Sequence, residues 1–512
     1  MPRPPPAEEQ QERISRPGRR VISSTLRLGD LLIRGGLVTL NDVNRAIDYQ
    51  SAHGGRLGAC LVATGVLSQS RLDAFLHRLP AEPSSIPATG IDSAILMGLL
   101  LKLIYAGRLE STPQLIDAIK LPYSLVAELV QMAIDRKLLM SLGSRDSANL
   151  AELAYSLTVE GHRWTVDLLS HSGYIGPAPV TLQEFALQVN LQKLSNEVIT
   201  YERIRQATSA LTLEDALIEQ CGPAINSGRA MLLYGLSGNG KTSLAHCLAG
   251  VFDDVIYLPY AIVVEGQVIR IFDPSLHHSI DPAGLGDENS PSFVRREAFD
   301  ARWVPCRRPF VIAGGELTLD MLDLRYDLSA HFYEAPLHVK ALGGCFIIDD
   351  FGHQLISPTD LLNRWIVPLE NRVDFLKLHT GKTFSVPFEE LIIFSTNLEP
   401  RDLMDAAFLR RLPYKIEVIG PTLEAFHAIF AKECARAGLE LSRDVFDSIV
   451  FQLKNERGVA LAAYQPRFIV DQVVASCRFM QQPPHFEPRF LTYALHNLCV
   501  NHARLATTAK AA

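Results

Sequence analysis

The spacing of hydrophobic positions changes several times along this 512-residue chain, and each change marks a predicted structural region. Alternating apolar strands and helices in the largest region predict a multidomain α/β protein. The predicted regions, in order, are a disordered lead-in (1–25), a small helical tandem-repeat domain (26–80), a module of helices and a hairpin (91–176), a parallel-sheet α/β core (185–420) and a helical C-terminal region (421–508). A proline-containing linker at 80–87 follows the tandem-repeat domain, and Pro177 and Pro179 mark the boundary after the module at 91–176.

The module at 91–176 combines the hydrophobic periodicity of helices with that of β-strands. Helices are predicted at roughly 91–107, 113–119 and 123–139, and a β-hairpin is predicted to involve 154–158 and the segment that follows. This order of elements is typical of a winged helix. We therefore call the module winged-helix-like.

An internal repeat with an offset of 29 residues fills the first helical region. The first copy reads Arg27-Leu28-Gly29-Asp30-Leu31-Leu32-Ile33 and then Gly36-Leu37-Val38, and the second reads Arg56-Leu57-Gly58-Ala59-Cys60-Leu61-Val62 and then Gly65-Val66-Leu67. Each copy predicts a short helix, a glycine turn and a second helix.

The segment Gly235-Leu236-Ser237-Gly238-Asn239-Gly240-Lys241-Thr242 matches G-x-x-x-x-G-K-[ST], the pattern of a phosphate-binding loop. An apolar strand at 230–234 enters it and a helix starting at Ser243 leaves it, which is the context such a loop needs. Backbone N–H groups and the helix N-terminus would hold the phosphates. Because Lys241 would reach the β- and γ-phosphates and Thr242 would ligate Mg²⁺, we expect binding of ATP.

Two further apolar strands are predicted to end in polar side chains. The strand at 345–348 is followed by Asp349 and Asp350, and the strand at 391–396 is followed by Asn397. We expect Asp349 to serve the Mg²⁺ shell and Asp350 to polarise the attacking water. The Asn397 amide would orient the same water.

Three arginines after these strands are candidates for sensing nucleotide. Arg410 and Arg411 offer guanidinium groups that would meet a neighbouring subunit's γ-phosphate as an arginine finger, and Arg467 would sense nucleotide from the helical region. Each alone fits an ordinary surface ion pair equally well. Because a finger acts across a subunit boundary, we expect a ring, and specifically a hexamer.

Taken in order over about 185–505, these motifs resemble those of the AAA+ ATPases. The resemblance implies a P-loop parallel-sheet core with a helical lid, and hydrolysis of ATP with Mg²⁺. The stretches at 387–398 and 407–411 look closest to bacterial MoxR-like and related regulatory members. The chain departs from the pattern at Asp350, where most members carry Glu, and in a long interval that predicts a β-rich insertion around 255–335.

The tandem repeat resembles the MshEN-type N-terminal domain of type II secretion and type IV pilus ATPases, over about 26–79. The resemblance implies binding of cyclic di-GMP through arginine, close-approaching glycine, apolar and glutamine contacts. The residues implied are Arg27, Leu28, Gly29, Leu32, Ile33, Gly36, Gln50, Arg56, Leu57, Gly58, Leu61, Val62 and Gly65. The second copy departs where Leu79 replaces the expected glutamine. A helical docking module, in which glycine and leucine repeat only for packing, is the alternative.

Composition and charge restrict the class of protein further. A net charge of −7, and eight Lys or Arg against eleven Asp or Glu between 91 and 200, make nucleic acid an unfavourable partner. The eight cysteines include no C-x-x-C pair, which favours a reducing cytoplasm over a disulfide framework or a zinc site. The most apolar stretch, 95–106, is too short to span a bilayer, so no membrane insertion is expected.

We therefore expect a cytoplasmic, ring-forming ATPase that responds to cyclic di-GMP and remodels a protein client in envelope, secretion or motility machinery. Two alternatives stay open. A transcriptional regulator would act on DNA through the winged-helix-like module. A MoxR-like chaperone would use the N-terminal repeat only to dock its client.

Overall fold

The computed structural model describes residues 28–34, 37–76, 78–144, 153–280, 299–404 and 406–508. The disordered lead-in predicted for 1–25 lies outside these residues. No helix within the described ranges is both long enough and apolar enough to cross a membrane.

Four helices form the N-terminal module. They are α1 (Leu28–Arg34), α2 (Leu40–His53), α3 (Leu57–Ala63) and α4 (Gln69–Leu76). Helices α3 and α4 begin 29 residues after α1 and α2, the offset of the sequence repeat. Equivalent side chains of the two copies, Leu32 with Leu61 and Val43 with Leu72, are buried in one shared core. Burying both apolar faces together is what makes each helix pair stable.

The middle module begins with three helices, and an antiparallel hairpin follows them. The ends of these three helices lie within four residues of the predicted ends. Its elements are α5 (Ser93–Gly107), α6 (Thr112–Ile119), α7 (Tyr123–Asp135), β1 (Leu139–Ser144), β2 (Leu153–Leu157) and α8 (Val159–His171). The predicted pairing of 154–158 with the segment after it is wrong, because β2 pairs backwards with β1. Thr158 instead caps α8, where its hydroxyl accepts a hydrogen bond from the Gly161 amide at 3.0 Å.

The α/β region follows. Its first half contains β3 (Val180–Thr181), α9 (Leu182–Leu191), α10 (Tyr201–Ala207), α11 (Asp215–Ser227), β4 (Met231–Tyr234), α12 (Lys241–Ala249), β5 (Val255–Pro259), β6 (Ala261–Val264), β7 (Gln267–Arg270), β8 (Trp303–Arg307) and β9 (Phe310–Ala313). Its second half contains β10 (Arg325–Asp327), β11 (Phe332–Glu334), α13 (Leu337–Lys340), β12 (Cys345–Ile348), α14 (Pro358–Asn371), β13 (Val373–Lys377), β14 (Thr383–Pro387), β15 (Leu391–Ser395), α15 (Pro400–Leu403), α16 (Ala406–Leu409) and β16 (Tyr414–Glu417).

A five-stranded parallel sheet in the order β16-β4-β15-β12-β9 forms the centre of this region, so the predicted parallel-sheet core is confirmed. Every residue of β12 and β15 is buried, as expected of parallel strands covered on both faces. The carboxyl ends of these strands meet at one edge of the sheet. Ligands of open parallel sheets bind at that edge.

A second five-stranded sheet, in the order β10-β11-β7-β6-β3, lies largely in the interval of the predicted β-rich insertion. One part of that prediction is wrong, because β9 belongs to the core sheet, where Phe310 lies opposite Cys345 of β12. Strand β9 is four residues long and follows β8 closely, so its sequence does not distinguish it from the insertion strands. We call the sheet that contains β6 and β7 the insertion sheet.

As far as residue 508, where the described C-terminal region ends, the regular elements that follow β16 are all helices, as predicted. They are α17 (Leu423–Ala437), α18 (Arg443–Phe451), α19 (Gln465–Phe479) and α20 (Pro488–Thr508). Their core is rich in aromatic side chains, with Phe426, Phe430 and Phe446 packed edge-to-face or tilted. At the start of α19 this helical region contacts the loop between β4 and α12, where the Tyr464 amide donates to the Gly238 carbonyl.

Candidate functional site

The loop between β4 and α12 has a backbone that requires glycine. Gly235, Gly238 and Gly240 have φ angles of 130°, 83° and 84°, which side chains other than glycine rarely adopt. A Cβ at Gly235 would lie 2.7 Å from the carbonyl oxygen of Val418, which follows β16. The glycine pattern is therefore dictated by the shape of the loop and by its contact with a neighbouring strand.

Polar groups of the same loop are concentrated around Asn239 and Lys241. The Asn239 amide nitrogen donates to the Val418 carbonyl at 3.3 Å, and its buried Oδ1 has no hydrogen-bond partner among the described residues. The Lys241 ammonium donates to the carbonyls of Gly235 at 2.8 Å and Leu236 at 3.0 Å. Burial lowers the pKa of Lys241, while the nearby Asp350 and Asp349 carboxylates oppose that shift. The loop thus holds the Lys241 ammonium beside its own backbone, and a positive charge in that position is suited to binding a phosphate group.

Thr242 and Asp349 lie in contact across the edge of the sheet. The Thr242 hydroxyl lies 2.9 Å from both carboxylate oxygens of Asp349 and donates to that carboxylate. The Asp349 amide donates to the carbonyl of Ala313 at the end of β9, at 2.9 Å, which fixes the acid at the end of β12. A hydroxyl beside a carboxylate is a pair of hard oxygen ligands of the kind Mg²⁺ prefers. The donor set therefore fits the predicted Mg²⁺ site.

Hydrogen bonds between strand ends hold this edge together. The Thr396 amide donates to the Leu233 carbonyl at 3.0 Å, and its hydroxyl donates to the Phe351 carbonyl at 2.7 Å. The Phe351 amide in turn donates to Ser395 at 2.7 Å. The ends of β4, β12 and β15 are thus joined, so the residues that follow each strand keep fixed positions.

Asp350 and Asn397 are both exposed at this edge, and a histidine that sequence reasoning missed joins them. Asp350 has a φ of 49°, uncommon for a residue other than glycine, asparagine or aspartate. The His353 amide donates to the Asp350 carbonyl at 3.0 Å, and its ring Nε2 donates to Asn397 Oδ1 at 3.0 Å. The sequence signal for this residue was its position three residues after Asp350. Its partner Asn397 follows a different strand, so the sequence did not show that the two side chains meet.

The helical region contacts the loop through the start of α19. The Tyr464 amide donates to the Gly238 carbonyl at 3.0 Å, and a Cβ at Gly238 would lie 2.2 Å from the Tyr464 ring. Arg467 lies one helical turn further along α19, is exposed, and has its Nε 3.7 Å from Asp471 Oδ2. The structure therefore brings the helix that carries Arg467 to the loop, and it pairs the guanidinium itself with a residue of the same helix.

The two candidate finger arginines differ in their surroundings. Arg411 forms an ion pair with Glu370 of α14, with 2.6 Å between Nε and Oε1. Arg410 is exposed. Since Arg411 already has an acidic partner on its own chain, Arg410 is the better candidate to meet another subunit.

The residues implied for cyclic di-GMP fall into buried and accessible sets. Arg27 and Gly36 lie outside the described residues. Leu28, Leu32 and Leu61 are buried in the module core, where they pack against the other helices of the module. A helix pair this small has to bury its leucines to be stable. The implied residues that keep some exposure are Ile33, Gln50, Arg56, Leu57, Val62 and Gly65.

The two aligned glycines of the repeat have a packing role. A Cβ at Gly29 would lie 3.0 Å from Val43 Cγ1, and one at Gly58 would lie 2.9 Å from Leu72 Cδ2. Both glycines therefore permit a short helix to approach the following longer helix. Gln50 is also used internally, since its amide donates to the Gly55 carbonyl at 2.7 Å.

The departure of the second copy at Leu79 has a structural reason. Leu79 and Phe75 pack against a buried cluster that contains Val180 and Phe185, at the insertion sheet and α9. The backbone continues this contact, since the Asp300 amide donates to the Pro80 carbonyl at 2.9 Å. The end of the N-terminal module is therefore attached to the α/β region by apolar contacts where the first copy has a glutamine.

Comparisons with known proteins match parts of this chain. Residues 422–497 match the model of a family described as a domain of unknown function, DUF8689. The type IV pilus assembly ATPase PilB of Myxococcus xanthus is 36% identical over 58 residues, 11% of this chain and 10% of that protein. The chain thus spans about a tenth of the length of this curated relative.

Solved structures with local similarity include three bacterial proteins. Brucella abortus NtrX is 13% identical over 71% of this chain and 59% of that chain, with a TM-score of 0.32. The Thermotoga maritima RuvB Holliday junction branch migration motor is 15% identical (59% and 71%; TM-score 0.29), and domain III of the replication initiation protein DnaA from the same organism is 12% identical (60% and 97%; TM-score 0.30). Because these TM-scores are low, we base the proposed function on the contacts within this chain.

Proposed function

We propose that this chain is an AAA+ type ATPase that hydrolyses ATP in a ring and responds to cyclic di-GMP. The observation that carries the ATPase proposal is the 2.9 Å contact between Thr242 and Asp349 beside Lys241, at the carboxyl edge of a parallel sheet. Phosphate loop, Mg²⁺ ligands and water-orienting groups then share one edge. This combination supports phosphoryl transfer to water.

In the proposed mechanism, residues of this chain position the phosphates and the attacking water. Backbone amides of 235–240 and the Lys241 ammonium would hold the phosphates, and Thr242 with Asp349 would hold Mg²⁺, which would supply neutralisation of phosphate charge when bound. Asp350 accepts a proton from the attacking water, and Asn397 orients that water. Because the side chain of Asp350 is one methylene shorter than that of Glu, we expect this proton transfer to be slower than with Glu.

A neighbouring subunit would add a second positive charge, besides that of Lys241, at the γ-phosphate. The exposed Arg410 is the proposed finger, and Arg411 holds it in place through the ion pair with Glu370. Arg467 couples hydrolysis to the helical lid, because α19 begins on the phosphate loop. A hexameric ring, cytoplasmic and without a role for DNA, is the assembly that we propose.

Cyclic di-GMP is proposed as the ligand of the N-terminal module. The support for this ligand is the resemblance of the tandem repeat to MshEN-type domains of type IV pilus ATPases, one of which is 36% identical to this chain over 58 residues. The exposed Arg56 and its counterpart Arg27 are the guanidinium groups that would stack on guanine or bind phosphate. The proposed output is remodelling of a protein client in envelope, secretion or motility machinery.

A chain of ion pairs links this module to the strand that carries Asp349. Arg78, just after α4, has its Nη1 2.8 Å from Glu197 and 3.7 Å from Asp254 Oδ2. Asp254 accepts two hydrogen bonds from Arg308, at 2.5 and 2.6 Å. The buried Arg308 also donates to the Gly343 carbonyl at 2.5 Å, two residues before β12 begins. We propose that this series of ion pairs is the route by which ligand binding at the N-terminal module changes ATP turnover. The expected coupling free energy between the two sites is about 1–3 kcal/mol.

One observation favours a second candidate function. Gly29 and Gly58 are needed for helix packing, so the repeat is also explained by a docking module without a nucleotide ligand. The protein would then be a MoxR-like chaperone whose N-terminal module docks a client.

The ATPase proposal is tested by steady-state ATP hydrolysis of the full-length protein. Lys241→Ala should lower kcat/KM by about 100-fold or more, because it removes the phosphate-binding ammonium. The matched control is Lys377→Ala, an exposed lysine on β13, which should hydrolyse ATP at the wild-type rate. Equal activity of the Lys241→Ala variant would overturn the proposal.

The ligand proposal is tested by calorimetric titration of cyclic di-GMP into the full-length protein. Arg27→Ala and Arg56→Ala should each weaken binding more than about tenfold. Arg71→Ala, an exposed arginine on α4, is the matched control and should bind normally. Heat no larger than dilution in the wild type would support the docking module instead.

A further inference from the structure

A cavity of about 190 Å³ lies between the middle module and the insertion sheet. Helices α5 and α8 form one side, and the turn between β6 and β7 forms the other. That turn is well defined, because Glu265 and Gly266 have φ angles of 50° and 75°, the left-handed pair of a two-residue hairpin loop. The walls of the cavity are mainly apolar, and Ile95, Leu99 and Leu168 are among the residues that line it. An apolar cavity of about 150 Å³ is large enough to hold a benzene ring.

One charged side chain lines this cavity. Lys102 lies in the middle of the apolar helix α5 and keeps only 7% of its surface exposed. Its ammonium donates to the carbonyl of Ser172, a neutral acceptor. Burial lowers the pKa of Lys102 to about 8. An ammonium is costly to bury without a counter-charge, so this position is unfavourable unless something compensates it.

The described part of the chain supplies no counter-charge at the cavity. None of the cavity-lining residues is Asp or Glu, and the titratable ones besides Lys102 are His171 and Tyr174. The Tyr174 hydroxyl donates to the Pro177 carbonyl at 2.9 Å. On the turn from the insertion sheet, Glu265 pairs with Lys382. On α8, Asp167 is exposed and does not line the cavity.

We propose that this cavity binds a small organic carboxylate, whose anionic group pairs with Lys102 and whose apolar body lies against Ile95, Leu99 and Leu168. The apolar walls favour a ligand with a hydrocarbon body over free phosphate. The volume limits that body to roughly one six-membered ring. Because the walls come from two parts of the chain, a bound ligand would also join the middle module to the insertion sheet.

Benzoate is the probe, and benzamide is its neutral isostere. Titrated by calorimetry into the full-length protein at neutral pH, benzoate should bind saturably with a Kd of about 1 mM or lower and at least about tenfold tighter than benzamide. Raising the pH through 8 towards 10 should weaken benzoate binding and leave benzamide unchanged, because Lys102 loses its proton over that range.

Lys102→Met removes the charge and keeps the length of the side chain. This variant should lose the preference for benzoate while its thermal unfolding midpoint stays equal or rises, since an unpaired buried charge is gone. Lys120→Met is the matched control, because Lys120 pairs with Asp117 on the same module and does not line the cavity. Equal binding of both probes, an unchanged preference in Lys102→Met, or no saturable benzoate binding would each overturn the proposal.

Discussion

The phosphate loop and the N-terminal repeat both contain glycines in a recognisable pattern, but the structure uses them differently. In the loop, Gly235, Gly238 and Gly240 have positive φ angles and shape a backbone that holds Lys241 and Asn239. In the repeat, Gly29 and Gly58 are helical and make room for Val43 and Leu72. The same residue type therefore shapes a loop backbone in one region and permits a helix contact in the other.

The difference shows what a motif can predict. The loop motif fixes a local backbone, so its chemistry follows from the sequence once a strand enters and a helix leaves. The repeat fixes a helix pair, and a ligand site on that pair depends on which side chains remain exposed. Arg56 and Gln50 retain exposure, whereas Leu32 and Leu61 do not.

The largest expected effect is on kcat, and it distinguishes Arg410 from Arg411 as the proposed arginine finger. Arg410→Ala should lower kcat by about 1,000-fold in the assembled ring, because transition-state charge is left unpaired. Arg411→Ala should cost less, since Arg411 is paired with Glu370 on its own chain. ATP hydrolysis, with oligomeric state checked by light scattering, measures both. Full activity of both variants in an assembled ring would refute a trans-acting finger.

The contact between the loop and the C-terminal helical region is tested at Gly238. Gly238→Ala should weaken ATP binding by about tenfold or more, because a Cβ there would lie 2.2 Å from the Tyr464 ring. The control is Gly381→Ala, whose φ is 89° and whose Cβ would meet nothing within 4 Å. Binding of a fluorescent ATP analogue measures both variants. If the two changes cost the same affinity, the Tyr464 contact has no role.

His353 is expected to position Asn397. His353→Ala should reduce kcat about tenfold and leave the affinity for ATP unchanged, because Asn397 loses the donor that holds its Oδ1. His353→Gln, which keeps a donor, should recover part of that loss. A change in KM alone would mean that His353 supports the fold of the edge and does not position the Asn397 amide for catalysis.

The smallest effect tests the repeat. Gly58→Ala should lower the free energy of unfolding of the N-terminal module by about 1–2 kcal/mol, because its Cβ would lie 2.9 Å from Leu72 Cδ2. Leu72→Ala in the same chain should remove most of that additional cost in a double-mutant cycle. If Gly58→Ala instead weakened cyclic di-GMP binding without changing stability, the glycine would serve the ligand, as the loop glycines are proposed to do.

The sequence predicted the features that depend on neighbouring residues in the chain. Strand β4, the loop and α12 form one continuous segment of the chain. The apolar runs of β12 and β15 end in polar residues, and parallel pairing of β12 with β15 and of β15 with β4 brings those residues to the same edge as the loop. Contacts between distant segments were missed, namely His353 with Asn397 and Tyr464 with Gly238. The backward pairing of β2 and the core position of β9 were missed for the same reason, since strand partners depend on tertiary context.

The central claim is that the N-terminal module controls the nucleotide site, and Arg78 offers the most direct test. ATP turnover should be measured with and without saturating cyclic di-GMP, in the wild type and in Arg78→Ala. The account predicts a change in wild-type turnover of about fivefold or more, and in Arg78→Ala an unchanged basal rate with little response to the ligand. Tight binding of cyclic di-GMP with no change in wild-type turnover would contradict the account.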